Sequence, residues 1–222
     1  MWLVLIGIGS VQFGAALAKL LFDEVTPTTV VWLRLLTSAL VMLVATRSHA
    51  RGRSVEDWGV VLAYGTTLAV MNWSIYESFA RIPLGVAVTL EFLGPLTVAL
   101  VGSRRRLDLL WVALAGTGVA LLGFQGGDLD PVGVLFALVA GAAWAAYIYL
   151  SAATGSRWPG VSGLAPASLV GAVVLAPFAV SAGGSALLDP RILVIGLAVG
   201  LLSSVVPYSL ELVALRSLPA RA

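Results

Sequence analysis

The chain has 222 residues, 59% of them apolar and only 11% charged, with 13 basic and 11 acidic side chains and a mean hydropathy of +1.01. A soluble domain carries about a quarter charged residues, so this composition is that of a membrane protein, and its small positive excess orients loops rather than binding nucleic acid. The absence of cysteine excludes disulfides and thiolate metal sites, and the lone His49 sits among arginines as a solvated residue rather than a ligand.

Eight apolar spans are expected, at about 2–22, 28–46, 58–80, 83–102, 108–124, 131–151, 161–181 and 192–215. Most approach the ~20 residues that a ~30 Å hydrocarbon core requires. The first has no basic n-region and no small-residue cleavage site, so it reads as a membrane helix and not a signal peptide.

Loop charges alternate. Arg47, Arg51 and Arg53 follow span two, Arg104, Arg105 and Arg106 follow span four, Arg157 follows span six, and Arg216 and Arg221 follow span eight. The opposite side carries Arg81 and Arg191 but is richer in acid: Asp23, Glu24, Asp128, Asp130 and Asp189. Basic loops stay in the cytoplasm, which places both termini inside. Trp2, Trp58, Trp111 and Trp158 fall near the expected interfaces and read as belt residues. Pro166 and Pro177 read as kinks in span seven.

Small residues recur at every fourth position: Ser10, Gly14, Ala18; Gly133, Ala137, Gly141, Ala145; Gly163, Ala167, Gly171; Gly196, Gly200, Ser204. Such stripes let helix backbones approach closely. With this many spans they are expected to be intramolecular seams, although they would also permit a homodimer.

Span four holds the chain's most informative stretch, Ile82 to Leu100. It carries Glu91 within apolar sequence and a Gly94-Pro95 break just after it. Pro95 has no N–H to donate, so the carbonyl four residues back, that of Glu91, loses its helical partner. In lipid both the carboxylate and that carbonyl must be satisfied by neighbouring helices or a wet cavity. A packing kink with a structural ion pair is the plainer reading, and a polar site near mid-membrane is the functional one.

Depth favours the site. At ~1.5 Å per residue, Arg34 lies ~9 Å, Glu91 ~12 Å, Asn72 ~12 Å and Gln12 ~15 Å below the outer end. An ionised residue at the centre of a membrane helix costs ~3 kcal/mol, and two at matching depth relieve each other by pairing, so an Arg34–Glu91 pair is expected. Tyr76 shares the face of Asn72. Trp73 and Trp144 are deeper than the belt, and Ser203, Ser204, Pro207 and Tyr208 are candidate polar lining from the second half.

The chain repeats itself weakly. Ser10 and Gly14 around Phe13 match Gly141 and Ala145 around Trp144, and Pro27 matches Pro159. Phe79-Ala80-Arg81-Ile82-Pro83-Leu84 matches Leu215-Arg216-Ser217-Leu218-Pro219-Ala220. A unit of five spans is odd, so its second copy enters from the opposite side, as in many secondary transporters. Residues 1–125 form the first copy and 126–222 an incomplete second one of three helices. The expected fold is therefore all-α, about eight transmembrane helices of a truncated ten-helix inverted-repeat (5+5) protein.

The run Ile82–Leu100 followed by Ser103-Arg104-Arg105 resembles the threonine/homoserine exporter branch of the EamA-type drug/metabolite transporter superfamily. The resemblance implies a bacterial inner-membrane carrier that exports small amino acids or related metabolites by alternating access with proton coupling. It places Glu91 and Pro95 in the signature of the fourth helix. No cofactor or metal is expected, and the partners are a small-molecule substrate, protons and the bilayer. An intramembrane enzyme would need a cluster of nucleophile, base or metal ligands that one His and no Cys do not supply. A truncated, non-transporting scaffold is the alternative, together with a carrier of a different small metabolite.

Overall fold

The structure, a computed structural model, describes residues 2–46, 52–102, 129–158 and 162–207, with 109–110, 113–114, 116–118 and 121. Most of the fifth expected span, and the end of the eighth with Tyr208 and the Pro219 segment, lie outside the described residues. Every regular element described is helical: α1 (Trp2–Lys19), α2 (Pro27–Thr46), α3 (Val55–Phe79), α4 (Leu84–Glu91), α5 (Leu93–Gly102), α6 (Pro131–Arg157), α7 (Leu164–Gly183) and α8 (Pro190–Gly200). A 3₁₀ turn (Gly184–Leu188) precedes α8 and a π-helical turn (Leu201–Val205) continues it.

Four stretches among the described residues are long and apolar enough to cross a membrane: Pro27–Ala45, Leu84–Gly102, Pro131–Arg157 and Leu164–Leu188. The eight expected spans are thus met in part. Among the described residues the eighth is represented by the shorter apolar stretch Pro190–Val205. In α3, Asn72 and a scatter of threonines and serines thin the apolar run. In Leu84–Gly102 two helices stand end to end and divide at Phe92, two residues ahead of the expected Gly94-Pro95 break, which lies in the first turn of α5.

Two compact units form, Met1–Ala69 with Ala153–Ala222, and Val70–Ala152. In the first, α2 lies against α7 and α8. It runs antiparallel to α7, since Thr29 Oγ1 donates to Ala179 O at 3.3 Å and the hydroxyls of Ser38 and Ser168 meet at 3.4 Å. It runs parallel to α8, with Gly196 against Leu33 and Gly200 against Thr37. The first part of α3 runs parallel to α7, with Gly65 on Ala167 and Val170, and Gly171 on Ala69.

The faces of α7 sort by size rather than polarity. Ala167 and Ala179 are fully buried with Gly171 and Ser168, whereas Val173 (63% exposed) and Phe178 (62%) point outward. Large apolar groups outside and small ones in the seam is the packing expected where lipid is the solvent. Gly133, Ala137 and Gly141 of α6 are buried in the same way within the second unit. The small-residue stripes are intramolecular seams.

Pro166 departs from the expected kink. It occupies the first turn of α7, where an N–H has no helical partner to lose. Pro177 lies inside α7. Trp158 also departs from expectation: it is 1% exposed, not a belt residue. The reason is its company. Trp58 meets it edge to face at 5.5 Å, and the Arg53 guanidinium lies 4.7 Å over its ring.

That aromatic contact is part of a clasp between the start of α3 and the end of α6. Ser54 and Asp57 form a reciprocal capping box, each backbone N–H donating to the other's side chain at 3.1 Å. Arg157 pairs with Asp57 at 3.3 Å, and Arg53 Nη1 donates to Arg157 O at 2.8 Å. The Ser54 backbone N–H, the Ser54 hydroxyl and Arg157 together hold the Asp57 carboxyl below the ordinary aspartate range. A lowered acid stabilises the fold above its unfolded pKa, ~3.9, and that contribution fades as pH falls through the lowered value. The detergent-solubilised protein is expected to lose thermal stability below about pH 4, and Asp57→Asn to remove part of that pH dependence. Parallel melting curves of the two at pH 7 and pH 3 would contradict it.

Candidate functional site

The site is built where Pro207 disturbs the end of α8. A proline at this position cannot donate to Ser203 O, its α-helical acceptor, nor to Leu202 O, its π-helical one. The Val206 N–H meanwhile reaches back to Leu201 O. The carbonyl of Leu202 therefore loses its helical donors, and that of Ser203 loses its α-helical one. A buried carbonyl needs a donor, and side chains from two other helices donate to these two.

Ser10 of α1 donates its hydroxyl to Leu202 O at 2.6 Å. Arg34 of α2 donates from Nη2 to Ser203 O at 3.0 Å and from Nε to Ser204 Oγ at 3.2 Å. Ser203 and Ser204 are each 3% exposed, and Arg34 is half-buried. The Ser203 hydroxyl is packed against Gly14, where even a methyl group would collide with it, and it has no hydrogen-bond partner among the described residues. A cation, three serine hydroxyls and two carbonyls that accept from side chains thus meet within an apolar bundle.

The structure brings Arg34 to Ser203 and Ser204, all three singled out in the sequence. Pro207 acts here through its missing N–H. Ser10 was legible only as a small residue, and its role as a donor follows from the carbonyl that the π-turn leaves open. Gln12, two residues on from Ser10, is exposed on another face of α1.

The other expected site residues lie in the second unit. Asn72 (3% exposed) and Tyr76 (1%) are buried on one face of α3, with Tyr76 against Phe79 at 5.5 Å. Glu91 ends α4 immediately before the break and is half-buried. Its backbone carbonyl, to which Pro95 has no N–H to give, faces Gly141 of α6: a Cβ there would come within 2.8 Å of it. Gly94 in turn lies against the Gly141 backbone, and Phe92 meets Trp144 edge to face at 5.0 Å. The break is thus seated on α6 through glycines, with the carboxylate beside it. Among the described residues no cluster of three His, Asp or Glu is placed to hold a metal.

No solved structure matches the chain. Residues 131–222 match the EamA-like transporter family. The chain is 41% identical over 221 residues to the threonine/homoserine exporter RhtA of Salmonella typhimurium LT2, covering 98% of this chain and 75% of that protein. It is 40% identical over 222 residues to the RhtA of Escherichia coli K12, covering 99% and 75%. On this similarity, which runs through the Glu91–Pro95 break and the Arg34 helix alike, the chain belongs to the threonine/homoserine exporter branch of the EamA-like transporters.

Proposed function

We propose that this membrane transporter exports small amino acids of the threonine and homoserine kind across the bacterial inner membrane, by alternating access coupled to protons. The observation that carries the reading is the Arg34 guanidinium bound to an interrupted helix, Leu201–Val205, inside an apolar bundle. Charged groups and broken helices at membrane depth mark the substrate path of secondary transporters.

An inverted repeat is supported by the packing register. Gly196 and Gly200 of α8 lie on Leu33 and Thr37 of α2; Gly65 and Ala69 of α3 lie on Ala167 and Gly171 of α7. The pair α2 with α8 is therefore the counterpart of α7 with α3, and α2 crosses α7 antiparallel to itself. The arginine-rich connections support cytoplasmic termini. Glu91, Asn72, Tyr76 and Gln12 are the other residues proposed for substrate binding or coupling, Glu91 serving as a proton carrier or as partner to a substrate ammonium.

Purified protein in liposomes loaded with unlabelled threonine or homoserine is expected to take up the labelled amino acid by counterflow, well above protein-free vesicles. An outward-directed proton-motive test follows with an imposed pH gradient. Counterflow equal to protein-free vesicles for each of a panel of amino acids would overturn the reading.

A further inference from the structure

We propose that two ion pairs, Asp57–Arg157 and Glu24–Arg191, are paired latches at the two ends of one helix unit, and that transport requires them to open in turn. The inference rests on the export and inverted-repeat readings, and assigns the contacts that part during the cycle to four side chains.

Position carries it first. All four residues belong to the unit that contains α1, α2, α7 and α8. Arg191 lies in the first turn of α8, and its Nη1 meets the two carboxylate oxygens of Glu24, between α1 and α2, at 2.9 and 3.1 Å. Arg157 ends α6 and meets Asp57, in the first turn of α3, at 3.3 Å. The start of α8 lies with the start of α2, because those helices are parallel, and the start of α3 lies with the start of α7 for the same reason. Since α2 and α7 are antiparallel, the two ion pairs sit at opposite ends of the unit.

The two joints are also counterparts. Each ties the chain just past the first helix of one repeat to the first turn of the third helix of the other. Glu24 stands three residues before Pro27 and Arg157 two before Pro159, the prolines that match between the repeats. Arg191 is the second residue of α8 and Asp57 the third of α3. The signs are exchanged, acid after α1 and base at the end of α6, so what the joints share is their place and not their residue types.

Strength separates latch from seam. The Arg191 side chain is 66% exposed and that of Arg157 40%. Ion pairs so open to water are worth little and part at low cost. The seams between them are of another kind, with Gly65 and Gly171 on one side and Gly196 and Gly200 on the other drawing helices into close contact. Rocking of packed bundles that keeps such seams and breaks the contacts at one end is how inverted-repeat carriers expose their path alternately. The Glu24–Arg191 pair lies at the end of the line along which Ser10 and Gly14 of α1 meet Leu202 and Ser203.

The chain has no cysteine, so thiols can be introduced into the full chain without background. One variant carries Glu24→Cys with Arg191→Cys, a second Asp57→Cys with Arg157→Cys, and each is closed by a short bis-methanethiosulfonate bridge that mass spectrometry verifies. Bridging either latch is expected to lower threonine counterflow in proteoliposomes at least tenfold, and dithiothreitol to restore it. The control bridges Glu77→Cys with Arg81→Cys, an ion pair one turn apart along the same stretch of chain, and is expected to leave counterflow in place. Glu24→Arg is expected to slow counterflow a few-fold, the scale of an exposed ion pair, and adding Arg191→Glu to recover it. Undiminished counterflow with a latch fully bridged overturns the proposal and leaves the export reading standing, because a contact that never opens tolerates a bridge. Should the Asp57 variant fail to fold, having lost its capping box, the Glu24–Arg191 bridge decides alone. A wild-type protein that moves no amino acid overturns both.

Discussion

Gly94→Ala is expected to be far more damaging than its single added carbon suggests. A Cβ at residue 94 would fall on the carbonyl of Gly141, a backbone group with no rotamer to escape into. Overpacking a tight seam costs about 1–3 kcal/mol where side chains can shift. Here the helix break and α6 would have to part, so the upper end or beyond is expected. A membrane domain with the stability of an ordinary protein, ~5–15 kcal/mol, loses a large fraction of it. The control is Gly85→Ala on α4, where nothing lies within 4 Å of the new carbon. Alanine there gains helix propensity and is expected to be neutral or slightly stabilising. Fluorescence-detected size-exclusion and thermal melting of the two variants should separate them clearly. Equal yields and equal melting temperatures would mean that the Gly94–Gly141 contact is not what seats the break.

Much of this packing was legible before any coordinates. The small-residue stripes announced the seams because lipid offers no hydrophobic drive between helices, so close backbone approach must supply it. The break after Glu91 was legible because Pro95 has a definite consequence four residues upstream. The same rule, applied to Pro207, names the carbonyls of Ser203 and Leu202; what it does not name is which side chains arrive to satisfy them. Depth counting put Arg34 among the polar groups of the bundle, but depth fixes height and not azimuth. Two residues at one height can face different neighbours, and Gln12 illustrates this by lying off the Ser10–Gly14 face. The clasp of Arg53, Asp57, Arg157 and Trp158 was not legible for a related reason. Charges and tryptophans at span ends look the same whether they face headgroups or each other, and only the meeting of α3 with α6 distinguishes the two.

The second large effect is expected at Glu91. Glu91→Gln keeps the shape of the side chain and removes its charge, so the seat of the break on Gly141, made by the backbone carbonyl, is untouched. The variant is therefore expected to insert and melt close to the wild type. Net export driven by a pH gradient is expected to fall at least tenfold, since loss of one charge-assisted interaction of about 1.5–3 kcal/mol corresponds to a tenfold to hundredfold change. The way it falls assigns the role. A proton carrier is not needed when labelled and unlabelled threonine simply exchange, so counterflow survives in Glu91→Gln while gradient-driven export is lost. A partner for the substrate ammonium is needed in both, so both are lost together and KM rises. Glu91→Asp, which keeps the charge on a shorter stem, is expected to recover part of either. Unchanged gradient-driven export by Glu91→Gln would remove this carboxylate from the mechanism and leave Arg34 with the π-turn as the polar centre of the path.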